Sequence, residues 1–309
     1  MRIWIMLLIF SLVIWFLWLW YRSDRKYQSK ETVSIAYDSW TNDRLLERLW
    51  GEHIHLGYYH DEYKKSDFRE AKIEFVHQLV KWSGLDNLPE GSRVLDIGCG
   101  IGGSARILAR DYQFDVVGIT VSSEQVKRAI DLTDKGLSCN FAVMDALDLQ
   151  FENGSFDGVW SVEAGPHMPN KQLFADEMLR VLRPGGVLAV ADWNRRDIDR
   201  RPYGFLEKLT ISQLLNQWAH PDFSTIKGFQ ANLSNSPYSA GRFDVDDWTR
   251  LTLPSWNDSI MEGFRRPRVF LDLGPQSLFQ GLREIPTILL MRWSFSIGLM
   301  RFGVFKGRG

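Results

Sequence analysis

Three patterns of apolar and polar positions follow one another along the chain. From Ile3 to Tyr21 no residue is charged, and Ser11 is the one polar residue before Tyr21. At ~1.5 Å per residue a helix of that length covers roughly 28 Å, about one hydrocarbon core. The exit Leu19-Trp20-Tyr21-Arg22 is too bulky for a signal peptidase, and Trp18, Trp20 and Tyr21 suit an interfacial belt. Arg22, Arg25, Lys26 and Lys30 follow the run, whereas only Arg2 precedes it. The pattern predicts an uncleaved transmembrane anchor over residues 1–21, with a lipid bilayer as partner. The rest of the chain then lies on the cytoplasmic side. A polar linker over 22–31 comes next.

The second pattern is helical. Within residues 32–88, predicted as a helical lid, residues 68–82 carry Phe75, Val76, Leu79 and Val80 at helix spacing. The third pattern alternates short apolar runs at 93–97, 115–119, 141–145, 156–161 and 182–188 with helical stretches. That alternation predicts an α/β, doubly wound, Rossmann-like sheet over residues 89–195. The Trp-rich remainder, 196–309, is predicted to form a substrate cap and the last strands, one of them near 302–305. Residues 286–299 are apolar but broken by Thr287, Arg292, Ser294, Ser296 and Gly298, too interrupted for a second span. They suit a membrane surface or a buried core equally.

Charge, cysteine and tryptophan content narrow the possibilities further. Lys+Arg 37 against Asp+Glu 38 gives a net charge of −1, leaving no surplus to neutralise phosphates, so nucleic acid is excluded as a partner. Two cysteines, Cys99 and Cys139, cannot build a disulfide framework or a four-thiolate zinc site. The 13 tryptophans are the outlier, four of them within the first 20 residues.

The chemistry concentrates where the run 93–97 meets Gly98-Cys99-Gly100-Ile101-Gly102-Gly103. Strand, glycine turn and helix in this order bring bare backbone and a helix N-terminus against a ligand. Gly98, Gly100 and Gly103 satisfy G-x-G-x-x-G, so a dinucleotide is considered first. Asp96 points elsewhere: a carboxylate inside the turn would repel a pyrophosphate, but suits the ammonium and sulfonium charges of S-adenosylmethionine. The second run ends at Thr120, not at the acid that usually grips ribose hydroxyls, leaving Thr120, Ser122 or Gln125 for that task. Just past the fourth run, Glu163 and His167 are four residues apart, so one helical turn would set both on one face. His53, His55 and His60 suggest a metal by spacing alone. No acidic or thiol cluster accompanies them, and no metal is expected.

Together the blocks resemble class I S-adenosylmethionine-dependent methyltransferases. Tyr37-Asp38-Ser39-Trp40, the run 49–59 (LWGEHIHLGYY) and the run 161–169 (SVEAGPHMP) resemble the tocopherol methyltransferase group. Within it, Gly118-Ile119-Thr120 and the run 285–290 (IPTILL) are similar to cyanobacterial prenylquinone methyltransferases, where Thr120 is the ordinary ending of the second strand. The resemblance implies methyl transfer from S-adenosylmethionine to a ring carbon of a prenylated benzoquinol, 2-methyl-6-phytyl-1,4-benzoquinol or its solanesyl analogue. This is a step toward tocopherol and plastoquinone. It assigns Gly98, Gly100 and Gly102 to the cofactor, with Cys99 filling space in the turn, and Asp145 and Ala146 to the adenine. Tyr37 and Tyr58 would lie near the sulfonium, while His167 serves as base with Glu163 orienting it or the substrate. A γ-tocopherol or sterol methyltransferase, and a catalytically silent membrane-tethered scaffold that binds S-adenosylmethionine, are the competing readings.

Overall fold

The computed structural model describes residues 25–60, 67–199 and 201–309, together with 6, 10, 11, 14, 15, 18, 20 and 21. Arg93–Ile97 (β1) is hydrophobic with three fully buried side chains, Val94, Leu95 and Ile97, as a strand covered on both faces must be. It pairs in parallel with Asp115–Thr120 (β2) and with Phe156–Val162 (β4). Cys139–Val143 (β3) extends one edge. On the other side, Leu182–Arg195 (β5) runs parallel to β4 and antiparallel to Met300–Arg308 (β7), which also holds Asp244–Asp247 (β6). The order is β3-β2-β1-β4-β5-β7-β6. The chain winds outward from β1 to β3 and then returns to β4. A crevice therefore opens between the carboxyl ends of β1 and β4, at Gly98 and Glu163.

Helices cover both faces. Phe68–Ser83 (α3) packs its Phe75, Val76, Leu79 and Val80 into one apolar cluster. Its start is capped by Asp67, which accepts from the Arg69 and Glu70 amides, and its end by Gly84 at φ +76°. Gly103–Asp111 (α4) and Ser123–Asp131 (α5) follow β1 and β2, and Lys171–Val181 (α6) fills the second cluster through Phe174, Ala175 and Met178. Lys30–Asn42 (α1) and Leu45–Trp50 (α2) lie across the crevice. Phe205–Gln217 (α7), Ile226–Asn235 (α8), Thr249–Thr252 (α9), Pro254–Arg265 (α10), Pro267–Leu273 (α11) and Pro275–Ser296 (α12) make up most of the remainder.

One sequence expectation is corrected. Among the described residues no helix is long and apolar enough to cross a membrane, which overturns the transmembrane part of the expected fold and the membrane-anchored placement drawn from it. The span was read over 1–21, and most of that stretch lies outside the described residues. Of the residues described there, Met6, Phe10, Ile14, Trp15, Trp18 and Tyr21 are exposed, and Trp20 is bonded to the protein. The Trp20 indole donates to Thr287 Oγ1 at 2.9 Å, the Gln217 amide donates to the Trp20 carbonyl, and Arg25 pairs with Glu284. The Trp20 indole and carbonyl are thus satisfied by polar groups of the protein. The apolar stretch 286–299 is buried on one side and exposed on the other. On α12, Ile288, Met291 and Phe295 are buried, while Leu289 and Trp293 are exposed.

Candidate active site

A cavity of about 470 Å³ runs from the glycine turn beneath α1 and α2 to the helices α10–α12. In the glycine turn at its deep end Gly98, Gly100 and Gly102 hold φ of +78°, +55° and +82°, angles that favour glycine; Gly98 and Gly100 line the cavity and Gly102 does not. A Cβ on Gly98 would meet Ala164 at 2.5 Å, so protein packing alone forbids one. A Cβ on Gly100 would have only Gln125 Nε2, at 3.9 Å, within 4 Å. The room beside Gly100 is therefore left for a ligand, at the N-terminus of α4. Asp96 is buried there with Oδ2 unpartnered, and burial raises its pKa to about 7. An orphan carboxylate oxygen lining a cavity fits a cationic ligand group, which would repay the desolvation. Cys99 lines the same turn, and burial pushes its thiol well up, away from nucleophilic use.

At the end of β2 the Thr120 hydroxyl donates to Gln125 Oε1 at 2.7 Å. This fixes the amide so that its NH₂ sits on the Gly100 side. Ser122 caps α5 by accepting from the Gln125 amide and donates its hydroxyl to Asp38 of α1 at 2.5 Å. Met144 and Ala146 line the cavity, whereas Asp145 stands behind them, accepting from the Leu147 amide at 2.9 Å and from Lys30 at 3.0 Å.

The crevice side of β4 separates the two residues expected to share a face. Glu163 sits at φ +56°, a strained angle for a side chain of its size, and a 3₁₀ turn over Gly165–His167 follows. Glu163 accepts from the Leu56 amide at 2.8 Å. Burial raises its carboxyl to about 7, against the opposing pull of the Leu56 amide and the charge of Lys72. His167 turns to α1, where its Nε2 lies 2.9 Å from the Tyr37 hydroxyl. Burial pushes His167 down to about 3 and raises Tyr37, so the imidazole is neutral and the phenol keeps its proton. The two candidates thus belong to separate networks. Behind Glu163, His55 Nδ1 faces the Leu56 carbonyl at 2.8 Å and so carries the proton. Its Nε2 consequently accepts from His53 Nδ1 at 3.1 Å. His60 instead pairs with Glu74, and among the described residues no cluster of three metal-ligating side chains occurs. Tyr58 packs against Trp248 and does not line the cavity.

Beyond His167 the wall becomes aromatic: Trp193 lies 5.7 Å from Trp218 and 5.5 Å from Trp256. The outer end is apolar, with Phe264, Phe270, Leu278 and Leu282. Trp256 and His220 carry no local sequence signal that marks them as pocket residues. They arrive from segments far from the glycine turn, and only the fold brings them in.

Residues 95–190 match the methyltransferase domain family. The chain is 55% identical over 282 residues to the 2-methyl-6-phytyl-1,4-hydroquinone methyltransferase of Synechocystis, covering 91% of this chain and 89% of that protein. The chain belongs to the tocopherol methyltransferase family. A further member, the chloroplastic tocopherol O-methyltransferase of Arabidopsis thaliana, is 32% identical over 84% of this chain and 77% of its own length. The protein is an S-adenosylmethionine-dependent methyltransferase. Among solved structures, a cyclopropane synthase of Mycobacterium tuberculosis superposes with a TM-score of 0.74 at 19% identity, covering 91% of this chain and 98% of the other. The phosphoethanolamine N-methyltransferase 2 of Haemonchus contortus, crystallised with S-adenosyl-L-methionine, gives 0.70 at 18% identity and covers 88% and 59%. At these identities the likeness is one of fold.

Proposed function

We propose that this methyltransferase places the methyl group on a ring carbon of a prenylated benzoquinol, 2-methyl-6-phytyl-1,4-benzoquinol or its solanesyl analogue. The observation that carries the reading is the gradient along the cavity. Charged and polar groups surround the glycine turn, an aromatic box lined by Trp193, Trp218 and Trp256 follows, and the exit is apolar. A flat diol with a long hydrocarbon tail matches that order. The 55% identity to a hydroquinone methyltransferase supports it.

When bound, S-adenosylmethionine supplies an electrophilic methyl group. Asp96 would hold its ammonium, the backbone of Gly98, Cys99, Gly100 and Gly102 would carry the methionine and ribose end, and Gln125, fixed by Thr120, would donate to a ribose hydroxyl. Ala146, with Asp145 behind it, would hold the adenine, and the Tyr37 ring would attract the sulfonium charge. Glu163 takes the phenolic proton, because its pKa of about 7 suits a base at neutral pH. His167, neutral and engaged by Tyr37, holds the wall against which the ring aligns. Removing the phenolic proton pushes electron density onto the ring carbon. That carbon would bond to the methyl group as the methyl–sulfur bond breaks and leaves its electron pair on sulfur, and would then lose its own hydrogen as a proton. A quinone has no such proton and is electron-poor, so turnover of substrate supplied as quinone requires a reductant. Equal methylation without a reductant would remove the phenolate mechanism.

Surface contact with a lipid bilayer belongs to this proposal, without any spanning helix. Phe264, Leu271 and Phe279, on the helices that rim the exit, are 69%, 80% and 59% exposed.

A further inference from the structure

The chain leaves α7 through Trp218 and Ala219, and Ala219 holds φ +54° although it is fully buried. A strained angle inside the core persists only where the surroundings impose it. Here it precedes the residue whose side chain lines the cavity, His220. The imidazole is 3% exposed, lies tilted against His167 with ring centroids 4.3 Å apart, and is flanked by Trp193 at 5.7 Å and Phe223 at 5.0 Å. Neither ring nitrogen has a hydrogen-bond partner among the described residues. A buried neutral imidazole has one donor and one acceptor to satisfy; with the Pro166 carbonyl beside one nitrogen, the other calls for a ligand that donates to it. Burial, with the nearby His167 and Lys171, keeps the ring neutral, and the Pro166 carbonyl beside it favours a proton on that side. The other nitrogen is then left as an acceptor.

We propose that His220 recognises a hydroxyl of the acceptor ring by hydrogen bonding, and so sets which ring carbon faces the methyl group. The assignment rests on the quinol reading above. Glu163 and His220 then address the two hydroxyls of a 1,4-diol separately, one for proton removal and one for orientation. A site built to bond a hydroxyl rejects an analogue that lacks it, because its own polar group is left unpaired.

The test uses the full-length enzyme, the prenylated quinol and its two mono-O-methyl ethers. Wild-type enzyme is expected to use the diol at least ~10-fold better than either ether in kcat/KM. His220→Phe, which keeps a ring in the aromatic wall, is expected to raise KM for the diol by ~10-fold or more. It abolishes discrimination against one of the two ethers only and leaves S-adenosylmethionine affinity unchanged by calorimetry. His220→Asn, which keeps a donor and an acceptor, recovers part of the discrimination. A folded His220→Phe enzyme with wild-type KM and wild-type discrimination overturns the assignment of His220 alone. Equal use of the diol and both ethers by the wild type overturns it without any variant. Failure of the wild type to methylate any prenylated quinol overturns the substrate reading, and this inference with it.

Discussion

Gly100 and Glu163 carry most of the weight at the scale of single residues. Gly100→Val puts a branched side chain where the backbone has open space, at a φ that valine tolerates poorly. The affinity for S-adenosylmethionine should fall at least ~10-fold, about 1.4 kcal/mol. Gly185 is the control, since it holds φ +80° with nothing within 4 Å of a built Cβ. Gly185→Val should lose similar stability and no cofactor affinity. Calorimetric titration of both variants separates backbone strain from ligand exclusion. For Glu163 the sign follows from burial, which penalises the ionised form and holds the carboxyl protonated below about 7. A base must be ionised, so kcat/KM should rise with pH through about 7. Glu163→Gln should lower it by ~10²–10⁴-fold and flatten that limb. An unchanged pH profile in the variant would assign the proton to another acceptor. The glycine turn was legible in the sequence because its function is written in adjacent residues. The separation of Glu163 from His167 was not. The i, i+4 spacing assumes a helix, and the chain instead turns through a left-handed residue and a 3₁₀ turn.

Among the elements, β1, β2, β4 and β5 were legible because buried parallel strands must be continuous apolar runs. β6 was not: its sequence, Asp-Val-Asp-Asp, has no apolar pattern, and it exists because β7 offers an edge. The same limit applies to α10–α12, which leave large apolar side chains exposed. Phe264, Leu271 and Phe279 are among them. Replacing all three with serine should reduce co-sedimentation of the enzyme with phospholipid vesicles several-fold. It should leave turnover of a detergent-dispersed, short-chain quinol unchanged. Undiminished vesicle binding would place any lipid contact elsewhere.

On the scale of the whole molecule, the winding order sets the crevice, and the two ends of one cavity perform different tasks. The methyl-donor half was readable from contiguous motifs. The acceptor half gathers Tyr37, Glu163, Trp193, His220 and Trp256 from five separate segments, and tail contacts need only apolar surface, which leaves no motif. The uncharged N-terminal run shows the converse hazard. It satisfied every compositional criterion for a span, yet Trp20 bonds to Thr287 and accepts from Gln217. The destination of the methyl group decides the reaction. Incubation with S-adenosylmethionine carrying a ¹³C-methyl group and reduced 2-methyl-6-phytyl-1,4-benzoquinol, followed by NMR of the product, reads this directly. The account predicts a single labelled carbon bonded to the ring. Label found only as a methoxy group, or no label in the quinol, would contradict it.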